Sequence, residues 1–170
     1  SLEKQLGIPV EIKPNNQFLV SRSQFADWYN SESDPGMETF YRSRRRETGL
    51  LMQEDQPLGG RWNYDMDNRV PPTGNMPIPE LPVFEPDDIT RKVLELVNTL
   101  FPENIGDLSD FSFPVTRQQV ATWFQDFLDK RLRLFGMYQD AMLSKSNRMY
   151  HAIISPYLNH GLLDVKTILN

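Results

Sequence analysis

Thr116-Arg117-Gln118-Gln119-Val120-Ala121-Thr122-Trp123-Phe124-Gln125-Asp126-Phe127-Leu128 decides the fold class of this chain. It opens with a capping box. A threonine hydroxyl and a glutamine three residues later can each satisfy a backbone N–H that the first helical turn leaves unpaired. Val120, Trp123, Phe124, Phe127 and Leu128 then recur at the three- and four-residue spacing that places them on one helical face. An aromatic face of this size reads as core, so a core built from helices is predicted.

The same signals recur on either side. Asp88 is predicted to cap a helix carrying Ile89, Val93, Leu96, Val97 and Leu100, with Pro102 just past its end. Phe135 to Met142 continue into a further turn or helix. Tyr150 to Leu158 reads as another helix, with Pro156 in or near its first turn and Gly161 as its stop. Asp164 is predicted to cap one more, inside which the chain ends. An internal piece of a longer polypeptide is therefore expected.

The first third is mixed. Ile8-Pro9-Val10-Glu11-Ile12 alternates apolar and polar and predicts a strand, and Phe18-Leu19-Val20 is a second short apolar run. All β structure is expected within residues 1–30, with strand partners supplied from outside the chain. Ser23 is predicted to cap a helix with Phe25, Trp28 and Tyr29. Ser33-Asp34-Pro35 should start the next, which carries Met37, Phe40 and Tyr41 and stops near Gly49. Its other face holds Arg42, Arg44, Arg45 and Arg46, either a solvated basic face or a strip facing phosphates.

Residues 57–86 are rich in proline and glycine and forbid long regular elements. Trp62 and Tyr64 lie inside this stretch, and two aromatic rings predict an ordered linker docked by them. Asp65 and Arg69 are four apart and would pair on a helical turn.

Composition bounds the function. At 39% hydrophobic and 24% charged, the 170 residues can build a soluble core. The absence of cysteine excludes disulfides, thiol catalysis and an iron–sulfur cluster held by this chain itself. Without a signal peptide at its start, a cytoplasmic location is expected. A net charge of −5 argues against a uniformly basic nucleic-acid binder but permits a local basic strip.

Three stretches taken in order carry a resemblance. The first is Met37-Glu38-Thr39-Phe40-Tyr41-Arg42 with Arg45-Arg46-Glu47-Thr48-Gly49-Leu50-Leu51-Met52. The second is Gly59-Gly60-Arg61-Trp62-Asn63-Tyr64-Asp65 with Asn68-Arg69. The third is Phe135-Gly136-Met137-Tyr138-Gln139-Asp140-Ala141-Met142, followed by His151 and by Ser155-Pro156-Tyr157-Leu158-Asn159 with Gly161-Leu162-Leu163. Together they resemble the bacterial photolyase-related proteins, the iron–sulfur bacterial cryptochrome and photolyase branch of the photolyase/cryptochrome family.

The resemblance implies a mainly α fragment. Residues 1–33 would end an α/β antenna domain, 34–86 would form an interdomain helix and Pro-rich linker, and 87–170 would begin the helical FAD-binding domain. It implies FAD in the full-length protein, with the antenna chromophore and iron–sulfur cluster held outside this stretch. A Thr-Ser-x-Leu-Ser-Pro type segment supplies hydroxyls to the FAD diphosphate in that family, and its counterpart here is His151-Ala152-Ile153-Ile154-Ser155-Pro156. Tyr138, His151 and Ser155 become the cofactor-binding candidates, while Ala152 stands where the pattern has a serine. Asp65, Arg69, Asp140, Arg45 and Arg46 become the candidates for contact with DNA. Asp65 and Asp140, brought together, are a weaker candidate pair for hydrated Mg²⁺, and no other metal site is expected. No catalytic residue is expected in the fragment itself.

The implied activity is light-dependent repair of UV-damaged DNA: reduced FAD splits a pyrimidine dimer, including the six-four type, by electron transfer. A cryptochrome-type photoreceptor without repair activity and a non-enzymatic helical interaction module are the alternatives. The isolated chain is expected to be inactive and flavin-free, since most of the pocket would lie beyond it.

Overall fold

A computed structural model describes residues 2–13, 15 and 17–169. The chain is mainly helical. Two packed units share it: one runs to Trp62 and takes in the chain again from Asp164, and the other is Asn63–Leu163. Packing thus divides the chain at Trp62, inside the proline-rich stretch.

In the first unit, α1 (Leu2–Leu6) is followed by extended backbone, α2 (Arg22–Ser31) and α3 (Met37–Thr48). The strand expected at Ile8–Ile12 does not form. Among the described residues no ladder partner faces it, Pro9 has no N–H to offer, and the Val10 N–H goes to Glu3 Oε1 instead. Phe18–Val20 forms bends rather than a strand. Among the described residues, the β structure in strands is a hairpin elsewhere: β1 (Met52–Gln53) pairs antiparallel with β2 (Gln56–Pro57). Glu54, at the first turn position, has φ +53°, a left-handed value that sequence rules assign to glycine or asparagine.

The helix starts also shift. Ser21, not Ser23, caps α2, because Gln24 lies three residues beyond Ser21 and completes a capping box. The start of α3 moves from Pro35 to Met37, after Gly36. Its end is as expected: Gly49 takes φ +71° and returns its N–H to Arg45 O. Phe25, Trp28 and Phe40 pack ring against ring between the two helices. The short α8 (Val165–Leu169) belongs to this unit, and Asp164 accepts the Thr167 N–H at 2.9 Å as its cap. The expectation that the chain ends inside this helix concerns Asn170, outside the described residues.

In the second unit, α4 (Asp88–Leu100) is capped by Asp87, whose Oδ1 accepts the Thr90 N–H at 2.8 Å; the expected cap, Asp88, is the first helical residue and pairs with Arg91. The core sits on α5 (Arg117–Lys130), where the capping box of Thr116 and Gln119 forms as predicted. Val120, Trp123, Phe124 and Phe127 are buried there with Met149, Tyr150, Tyr157 and Leu163. Leu128 falls off that face, and Asp126 lies in it, paired with Lys130 and with the fully buried Arg131. Burial holds the Arg131 guanidinium below its ordinary range, with Asp126 acting against this.

Two short helices complete the unit, α6 (Leu132–Tyr138) and α7 (Ser155–Asn159). The helix expected over Tyr150–Leu158 begins only at Ser155. Pro156 has no N–H to give the Ala152 carbonyl, so a helix cannot run through it. The Trp123 indole takes that carbonyl at 2.8 Å, and Ile153 breaks the backbone at φ +54°.

Candidate flavin and DNA-contact residues

The proline-rich stretch is ordered and docked in the second unit by its backbone. Val70 N–H donates to Met137 O and Asp140 N–H to Asn68 O, both at 3.1 Å. Further along, the Tyr150 hydroxyl donates to Pro77 O at 2.8 Å and Arg148 Nη2 pairs with Glu80 at 3.0 Å. Phe84 N–H reaches Ser112 O. Proline lacks a donor but keeps its carbonyl, and segments without secondary structure must place their polar groups somewhere.

Trp62, expected to anchor this docking, does something else. Its ring carries the guanidinium carbons of Arg42, Arg45 and Arg46 at 5.3, 5.5 and 4.8 Å, all from α3 in the first unit.

Asp140 is the junction. Its Oδ2 accepts from Asn68 Nδ2 at 3.2 Å and from Arg69 Nε at 3.3 Å. Arg69 remains largely exposed beyond this pair, while Asn68 is buried. The pairing expected between Asp65 and Arg69 is replaced by Arg69 with Asp140. Asp65 opens a 3-10 turn, Asp65–Asp67, which ends before a full α-turn can bring the two side chains together. Asn68 was missed as a site residue. Asparagine in a proline-rich loop carries no sequence sign of burial, and only the docking supplies its partner. Among the described residues no group of three or more histidine, aspartate or glutamate side chains is placed to hold a metal ion.

Beside this junction lies a cleft of about 540 Å³ whose lining includes Asp140, Arg148 and His151. Met149 and Ile153 both have positive φ, so the backbone on either side of His151 is held in the left-handed region. His151 Nδ1 is 2.9 Å from Arg148 O, and a carbonyl can only accept, so Nδ1 carries a proton. The neutral ring then presents Nε2 as an acceptor, and donation to an anion from Nε2 takes the imidazolium.

Tyr138 stacks near Tyr150, with ring centroids 5.6 Å apart. Burial, with Tyr138 adding to it, raises the Tyr150 hydroxyl above its usual range. Ser155 is exposed at the first position of α7. Ala152 has no side-chain donor, and its carbonyl is committed to Trp123. Ser155 thus offers an exposed hydroxyl and His151 a second ring nitrogen, while the Tyr138 ring lies against Tyr150.

Arg45 and Arg46 differ sharply. Arg45 is 8% exposed and donates to the carbonyls of Leu50, Leu51 and Trp62 and to the Tyr41 hydroxyl. It ties α3 to the start of the β1–β2 hairpin. Arg46 is exposed. No described helix is long and apolar enough to cross a membrane.

Comparison with known proteins gives this arrangement its context. A protein named (6-4) photolyase, from Agrobacterium fabrum (strain C58 / ATCC 33970), is 45% identical over 158 residues, or 93% of this chain and 31% of that protein. The chain thus spans about a third of the length of that relative. The family profile described as deoxyribodipyrimidine photo-lyase-related protein matches residues 1–113. The chain belongs to the deoxyribodipyrimidine photo-lyase-related protein family.

Proposed function

We propose that the protein containing this chain is a light-dependent DNA-repair flavoprotein that acts on UV-induced pyrimidine dimers, six-four photoproducts foremost. The observation that carries this reading is the likeness, along 93% of the chain, to a protein named (6-4) photolyase. When bound and reduced, FAD would supply the photoexcited electron that drives splitting of the lesion and would recover that electron afterwards.

This chain's residues form one wall of the site. Ser155 donates its hydroxyl to a phosphate oxygen, and His151 contributes its Nε2 edge to the same group. The Tyr138 ring closes the adjoining face. Asp140 holds Arg69 at the edge of the same unit, and the guanidinium is free to turn from that carboxylate to a DNA phosphate. Asp65, three residues before Asn68, adds a second negative charge that DNA approach must tolerate or that a hydrated cation neutralises. Residues 1–33, 34–86 and 87–170 are assigned to the end of the antenna domain, the linker and the start of the FAD-binding domain, with the antenna chromophore and any iron–sulfur cluster held by other parts of the protein. A cytoplasmic location goes with this assignment.

The test uses the full-length protein, reduced and illuminated, with one oligonucleotide bearing a six-four photoproduct and another bearing a cyclobutane dimer. Light-dependent restoration of the six-four substrate is the expected result. A bound flavin that responds to light without restoring either substrate would replace repair with photoreception.

A further inference from the structure

We propose that Arg46 and Arg42, mounted on Trp62, form a second and sequence-independent contact for the DNA phosphate backbone, separate from Arg69. The proposal rests on the repair reading above.

Positions 42, 45 and 46 share one face of α3 because they are three and four residues apart. Three guanidinium groups within 5.5 Å of a single ring centroid would repel one another if nothing held them. Two features hold them. The indole π-cloud attracts each cation. The Trp62 carbonyl, accepting from Arg45 Nη1 at 3.1 Å and from the Tyr41 hydroxyl at 2.8 Å, fixes the ring's backbone to the helix.

The three arginines have different duties. Arg45 is spent internally, yet its four acceptors are carbonyls and a hydroxyl, so no carboxylate cancels its charge. Arg42 is matched by Glu38, one turn earlier, with Nε and Nη2 both 2.8 Å from Oε1. Arg46 has no hydrogen-bond or ion-pair partner among the described residues, and its charge is exposed. Three cations thus stand against one carboxylate in a chain whose net charge is −5. A local excess of positive charge on a negative chain focuses anions onto one patch.

The occupant is a phosphodiester backbone. A guanidinium offers its donors as a fork that matches phosphate oxygens. The Trp62 ring is already covered by cations, so a base is not expected to stack on it. Holding Arg46 against the ring reduces the side-chain freedom lost when phosphate binds. Glu38 competes with phosphate for Arg42 and so tempers the affinity.

The experiment measures binding of the full-length protein to a short undamaged duplex and to the same duplex with a lesion, across a range of salt. Arg46→Gln should weaken both alike and reduce the slope of log K against log salt by about 1, one phosphate contact's share. Glu38→Gln should tighten both, because Arg42 is released. The flavin absorbance of each variant should match the parent, showing an intact fold. An unchanged slope in Arg46→Gln, or a loss confined to the lesion-bearing duplex, overturns the proposal while leaving repair standing. Weaker or unchanged binding in Glu38→Gln removes Arg42 from the contact. A parent protein that binds neither duplex overturns the repair reading itself.

Discussion

Arg69 and Asp140 meet across 71 positions of chain, with Arg69 Nε donating to Asp140 Oδ2 at 3.3 Å. The same carboxylate oxygen takes the buried Asn68 amide, and the Asp140 N–H closes the loop onto Asn68 O. One acidic residue thereby fixes both the path of the linker and the direction of its arginine. The two contacts should differ in energy. The ion pair is solvated on both sides, and Arg69→Ala should cost no more than about 1 kcal/mol in chemical denaturation of the intact protein. Asn68→Ala removes a buried partner and should cost about 1–3 kcal/mol. Equal effects would show that the linker is not held at Asn68.

Arg69→Ala should also weaken lesion binding or repair while leaving the flavin spectrum unchanged, because its guanidinium pairs with Asp140 and not with Tyr138, His151 or Ser155. Loss of flavin in this variant would instead make Arg69 part of the cofactor site.

The Trp123 indole bonded to Ala152 O anchors the irregular backbone before Ser155, where Ile153 turns left-handed. Trp123→Phe keeps most of the ring volume but strands a carbonyl, and a loss of about 1–3 kcal/mol is expected. Trp123→Ala adds a cavity and should cost about 3–5 kcal/mol. Flavin retention should fall with both, since the displaced segment carries His151 and Ser155. Full flavin content in the folded Trp123→Phe protein would separate that segment from the cofactor.

Tyr157 gives a pH signature. Burial pushes its hydroxyl up to about 12 from an ordinary value of 10.0. The folded protein then favours the neutral phenol. Its contribution to stability is complete below pH 10.0, declines as the unfolded chain ionises, and is gone above about pH 12. The difference in tyrosinate absorbance between parent and Tyr157→Phe should show a group that titrates late. Ionisation at the ordinary value would place Tyr157 in solvent.

Thr116→Ala removes one half of the capping box of α5 and should cost about 1 kcal/mol. A larger loss in Gln119→Ala than in Thr116→Ala would mean that the glutamine, not the threonine, carries the cap.

Much of this protein was legible from local signals. The Thr116 box, the buried stripe of α5, the Gly49 stop and the Asp164 cap depend on groups within about one helical turn of each other, and periodicity and hydrogen-bonding chemistry report on that distance. Ser21 was equally legible once Gln24 is counted as its partner. The expected Ile8–Ile12 strand failed for the opposite reason: alternation describes a surface that fits a sheet, and a ladder also needs a neighbour. Tertiary structure alone decided the rest. It gave Trp62 to three arginines, enclosed Arg45 among carbonyls, buried Asn68 and turned Arg69 from Asp65 to Asp140. Side chains with several donors accept whichever partner the fold brings near, and the folded path of the chain, not spacing along it, selects that partner.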